Sequence, residues 1–131
     1  MRKDILRNSL SDLRARSTGV YHHNGHDHSI EFPKLKVDFE ELKQRIRNTQ
    51  EVNMRLENLS VCFNSKIICY EDFENWDQTI SSLLMFIGVT DMPLKAATQK
   101  LNPDNLEDRI ENYAALKKWL LVNRYDGFAD T

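Results

Sequence analysis

The sequence predicts an α/β chain, mostly helical, with one clear buried strand at about residues 66–70. Three observations carry that reading. Ile67-Ile68-Cys69 is a short apolar run that ends on Tyr70-Glu71-Asp72, as a strand buried on both faces would before a turn. On either side of it, apolar residues recur at spacings of three and four, the period of a helix with one buried face. Helix-capping residues and glycines mark where those periodic stretches start and stop. In open α/β sheets ligands gather at the carboxyl ends of strands, so the acidic turn is the first place to look for a site.

The elements follow in order. A first helix is predicted from about Asp4 to Ala15, with Leu6, Leu10 and Leu13 on one face. A polar loop rich in histidine runs from about Thr18 to Lys36, interrupted by Gly19, Asn24-Gly25 and Pro33. Asp38 then caps a long helix, with Glu41 completing a capping box. Phe39, Leu42, Ile46, Thr49, Asn53, Leu56 and Leu59 form one face of that helix. Thr49 and Asn53 interrupt its apolar stripe, either facing a polar pocket or hydrogen-bonded in place. The strand at Lys66 to Tyr70 comes next, and Asp72 reads as the cap of a helix from about Asn75 to Ile87, closed by Gly88. Its face would be Trp76, Ile80, Leu83, Leu84 and Ile87. Met92-Pro93 starts a connector. Pro103 and Asp104 suit the first turn of a last helix, lined by Leu106, Ile110, Tyr113 and Leu116 or Leu120.

Several segments together resemble the C-terminal half of a bacterial, carbohydrate-type sulfotransferase. Tyr70-Glu71-Asp72-Phe73 and Phe86-Ile87-Gly88 are similar to that family's Tyr-Glu-Asp-Leu strand end and Phe-Leu-Gly helix end. Lys100 to Pro103 and Ile110 to Tyr113 match its Lys-x-Asn-Pro turn and Ile-x-Asn-Tyr helix. Arg2-Lys3, Ile5 to Asn8 and Ser11 look like its basic-residue-to-serine segment, and Thr18-Gly19-Val20-Tyr21-His22 resembles its Thr-Gly-x-Trp-His, with Tyr for Trp. The order of the motifs is the family's order and covers nearly the whole chain.

The resemblance implies a partial P-loop-like fold, residues 1–131 forming a single partial domain, and sulfuryl transfer to a hydroxyl. The donor would be 3′-phosphoadenosine 5′-phosphosulfate (PAPS), and the acceptor a small-molecule or carbohydrate hydroxyl. Arg2 and Lys3 would neutralise the donor's 3′-phosphate, Ser11 would hydrogen-bond it, and Lys100 would add charge. The family's Arg-Ser-Gly-Thr loop for the 5′-phosphosulfate has no counterpart. The four glycines, at 19, 25, 88 and 127, form no phosphate cradle with a neighbouring Lys or Ser. The chain therefore reads as half of an enzyme domain, inactive alone, with self-association or a partner chain supplying the missing half. The alternative is a non-catalytic helical interaction module. No catalytic residue is assigned. His22 matches the family's His, and a general base would have to reach an acceptor hydroxyl. For Glu71 and Asp72, structural roles are favoured: Asp72 as a helix cap, Glu71 as the partner of a basic neighbour.

Composition narrows the classes. A net charge of −2 gives no global pull toward nucleic acid or an anionic membrane, and neither is expected as a partner. Residues 1–20 hold five basic residues against two acidic ones, which suits an anionic ligand or a solvated helix face. His22, His23, His26 and His28 lie close in sequence, but no cysteine is near, and no metal is assigned. Cys62 and Cys69 do not make a disulfide framework, and Cys69 reads as a small buried hydrophobe. No secretory signal or membrane-spanning run is seen, so a cytoplasmic setting is expected.

Overall fold

A computed structural model describes residues 1–19, 33–90, 92–95 and 105–125. Four α-helices make up most of it: α1 (Ile5–Thr18), α2 (Phe39–Cys62), α3 (Trp76–Phe86) and α4 (Tyr113–Val122). A 3₁₀ turn, Tyr70–Asn75, leads into α3.

Local chemistry explains the helix ends. The Asp4 carboxylate accepts the Arg7 amide at 2.8 Å, and Gly19 closes α1 at φ +70°, a conformation that favours glycine. Asp38 starts α2 by accepting the amides of Glu40 and Glu41 at 2.9 and 3.0 Å. Gly88, at φ +73°, ends α3, and the Val89 amide turns back to the Leu84 carbonyl at 2.9 Å.

The core is built from α1, the first half of α2, the 33–38 segment and α4. Leu6, Leu10 and Leu13 meet Leu42 and Ile46, and Val37, Ile110, Leu116 and Leu120 close the other side. Trp119 stacks between Phe39 and Tyr125, with ring centroids 5.6 Å apart on both sides. Leu35 and Ile110 form an isolated parallel bridge, and Asn112 exchanges two 2.9 Å hydrogen bonds with the Val37 backbone. Arg45 of α2 reaches Asp12 of α1 at 3.1 Å.

The α/β reading is corrected here. Among the described residues there is no strand and no sheet. Residues 65–69 have no regular secondary structure and carry no ladder, and Tyr70 already begins the 3₁₀ turn. Of the run expected to be buried, only Cys69 is buried; Lys66 and Ile67 are exposed, Ile67 at 44%. A strand needs neighbours to satisfy its backbone and cover its faces. The described chain offers one, Met1, whose ammonium donates to the Ile68 carbonyl at 2.9 Å and whose carbonyl accepts the Tyr70 amide at 3.0 Å. With no sheet, a partial P-loop-like fold is not what these residues form.

Two further expectations shift. Asp72 does not cap α3: its carboxylate turns back to the Cys69 amide at 2.8 Å, and the 3₁₀ turn intervenes. The last helix begins at Tyr113, because Ile110 and Asn112 are held by Leu35 and Val37. Pro103 and Asp104 lie outside the described residues.

Candidate functional site

The predicted anion-binding residues and the predicted acidic turn meet at one corner. Residues 1–4 run past Cys69–Asp72 and past α2, where Asn53 and Arg2 pair reciprocally. The Asn53 amide donates to the Arg2 carbonyl at 2.7 Å and the Arg2 N–H to Asn53 Oδ1 at 3.3 Å. Thr49, one turn earlier, accepts from Asn8 of α1 at 3.4 Å. Both polar interruptions of the α2 stripe thus hold α1 and the segment before it in place.

At the centre stands Glu71. Its two carboxylate oxygens accept the backbone amides of Lys3 at 2.9 Å and Asp4 at 3.1 Å, just ahead of α1. A helix start offers such amides and favours a negative charge, and here the protein's own carboxylate takes the place. Partial burial pushes the Glu71 carboxyl up. The amides of Lys3, Glu71 itself and Asp4, with the charge of Arg2, outweigh that and leave it below the ordinary range.

Asp72 pairs with the Lys3 ammonium. The hydrogen bond from Lys3, then the Cys69 amide, hold its carboxyl low, and the same hydrogen bond raises the Lys3 ammonium above its usual value. The pair is open to water, Lys3 at 63% and Asp72 at 34% side-chain exposure, so its net contribution is small. Arg2 lays its guanidinium 3.7 Å from the centroid of the half-exposed Tyr70 ring. Arg7 lies 3.2 Å from Asp4. Three side-chain cations, Arg2, Lys3 and Arg7, therefore stand among three carboxylates, Asp4, Glu71 and Asp72.

Of the predicted donor-binding set, the structure brings Arg2 and Lys3 together. Ser11 is exposed farther along α1, about 9 Å of helix rise beyond Ile5, where the helix begins. Lys100 lies outside the described residues, as do His22, His23, His26 and His28. Among the described residues no group of three or more metal-ligating side chains is found. In the corner as built, Glu71 holds the amides of Lys3 and Asp4, and Asp72 holds the Lys3 ammonium. Nothing local in the sequence signals that Glu71 holds amides sixty-seven and sixty-eight positions away.

No family model, no curated protein and no solved structure matches the chain. Among the described residues no helix is long and apolar enough to cross a membrane.

Proposed function

We propose that this chain is a non-catalytic, mostly helical interaction module. The observation that supports it is the closed corner. Arg2 and Lys3, the best anion-binding candidates, are engaged by Tyr70 and Asp72, and Glu71 fills the amides at the start of α1. Large apolar side chains meanwhile stand open on the second half of α2 and just after it, where Leu56, Leu59, Val61 and Phe63 are all exposed. Cys62 and Cys69 are both free thiols, which suits a reduced cytoplasmic compartment. The test is sulfate transfer: the chain, incubated with labelled PAPS and a panel of sugars, stays at background. Turnover above background that is lost in Lys3→Ala would overturn the reading.

A second reading follows from the meeting of residues 1–4 with Tyr70–Asp72, two of the segments that carry the sulfotransferase resemblance. Under it, Lys3 leaves its exposed partner Asp72 and, with Arg2, holds the 3′-phosphate of the donor, with Ser11 and Lys100 contributing. Binding of adenosine 3′,5′-bisphosphate would then be weak, about −4 to −6 kcal/mol. Calorimetry decides: heat that vanishes in the Arg2→Ala/Lys3→Ala double variant supports this reading, and heat unchanged in that variant removes it.

A further inference from the structure

We infer that two copies of this chain associate through the second half of α2, the two helices running antiparallel along a seam of Val52, Leu56, Leu59 and Phe63. This rests on the interaction-module reading and names the partner as a second copy. The core covers only the first half of the helix, where Phe39, Leu42 and Ile46 lie. Beyond it the four seam residues, the last of them the cap of α2, follow at spacings of four, three and four, the alternation of a two-helix seam. All four are exposed, from 42% at Leu56 to 70% at Phe63.

The seam matches its own reverse. When one copy is turned end for end about a point between Glu57 and Asn58, Val52, the smallest of the four, falls opposite Phe63, the largest, and Leu56 falls opposite Leu59. Only a second copy requires that match. Charge agrees with it. The seam is uncharged, and of its flanking residues, Asn48, Asn53, Arg55, Ser60 and Cys62, Arg55 alone carries a charge. Glu51 of the same helix lies 3.6 Å from that guanidinium. No like charges come directly opposite when two copies pair, and a charged partner would find little counter-charge along the seam. The direction follows from the core, which sits at one end of α2. Antiparallel pairing carries the two cores to opposite ends, whereas a parallel pair would crowd them at one. A twofold axis across the helices keeps each flank on its own side, so Arg55 comes beside Cys62 of the second copy, offset by about 3 Å of helix rise.

The test uses the whole chain. Sedimentation equilibrium should show the mass rising with concentration from 15.4 kDa toward twice that value. Leu56→Asp/Leu59→Asp, at two exposed positions, should weaken association at least tenfold with the helical circular dichroism retained. Arg55→Cys gives a second readout that leaves the seam intact. Oxidised glutathione should link its new thiol to Cys62 of the other copy, and the linked peptides can be identified by mass spectrometry. Within one chain those two positions are seven residues apart, about 10.5 Å of helix rise and beyond disulfide reach, so the bond forms only between copies. Cys62→Ser added to Arg55→Cys should abolish it. A single 15.4 kDa species at every concentration, association unchanged in the double Asp variant, or linkage of Cys62 to Cys62 in place of the crossed pair would overturn the inference. Sulfate turnover would instead remove the module reading, so the two failures are distinguishable.

Discussion

Replacing Glu71 by Ala removes the acceptor of two amides, those of Lys3 and Asp4, at 2.9 and 3.1 Å. A hydrogen bond to a charged group contributes about 1.5–3 kcal/mol when shielded, and a charge at a helix start about 0.3–1 kcal/mol. This carboxylate is only partly buried, and water replaces part of what is lost, so the low end applies. The expected loss for Glu71→Ala is about 1.5 kcal/mol. At roughly 4 °C per kcal/mol for a chain of this length, the melting midpoint should fall by about 6 °C. Thermal melting followed by circular dichroism reads the midpoint, and hydrogen exchange reads the local effect as faster exchange at Lys3 and Asp4. An unchanged midpoint with unchanged exchange at those amides would refute the role assigned to Glu71.

The pH dependence follows from the same corner. Glu71 and Asp72 are both held below their ordinary values, so their contribution is complete above the unfolded values of about 4 and is lost as pH falls through the lower folded ones. Urea midpoints measured from pH 7 down to 3 should drop at the acid end, and less steeply in the Glu71→Ala variant. Lys3 is raised, so its part persists through neutral pH and fades only as pH climbs above about 10.4. Ile46→Ala, at a side chain with no exposure, should cost about 2–5 kcal/mol by denaturant melting; a loss under 1 kcal/mol would contradict the core described. Asn112→Ala breaks both bonds to Val37 and should cost about 1–3 kcal/mol, with faster exchange at the Val37 amide as its signature. Light scattering should show concentration-dependent association of the chain alone, since Leu59, Phe63 and Ile67 stand open; a clean monomer at every concentration would argue against it.

What the sequence made legible was local. The leucines at 6, 10 and 13 are buried as the helical period implied, Leu42 and Ile46 likewise, and Asp38 caps where a cap was expected. What it left hidden depends on contacts between distant residues. Ile67-Ile68-Cys69 has the composition of a buried strand, but composition does not supply a neighbouring strand, and the described residues hold none. Leu56 and Leu59 continue the stripe of Leu42 and Ile46, yet α1 is shorter than α2, and they extend past the core. The last helix starts nine residues later than Pro103-Asp104 suggested, with Leu35 and Val37, seventy-five positions away, holding the residues just ahead of it. At the corner, Glu71 meets backbone amides where a basic side chain was expected, and Asp72 meets Lys3 and the Cys69 amide where a cap of α3 was expected.

The chain has two tryptophans, and the structure puts them in different places. Trp119 lies inside the aromatic stack of the main core, between Phe39 and Tyr125. Trp76 lies at the start of α3, touching Phe73 and donating its indole N–H to the Leu94 carbonyl at 2.6 Å. From α3 no side chain enters the main core cluster. The two indoles are therefore separate optical reporters for a body and its appendage. In single-tryptophan variants, emission from Trp76 should change at a lower denaturant concentration than emission from Trp119, so that unfolding runs in two stages that a helical signal alone would blur into one.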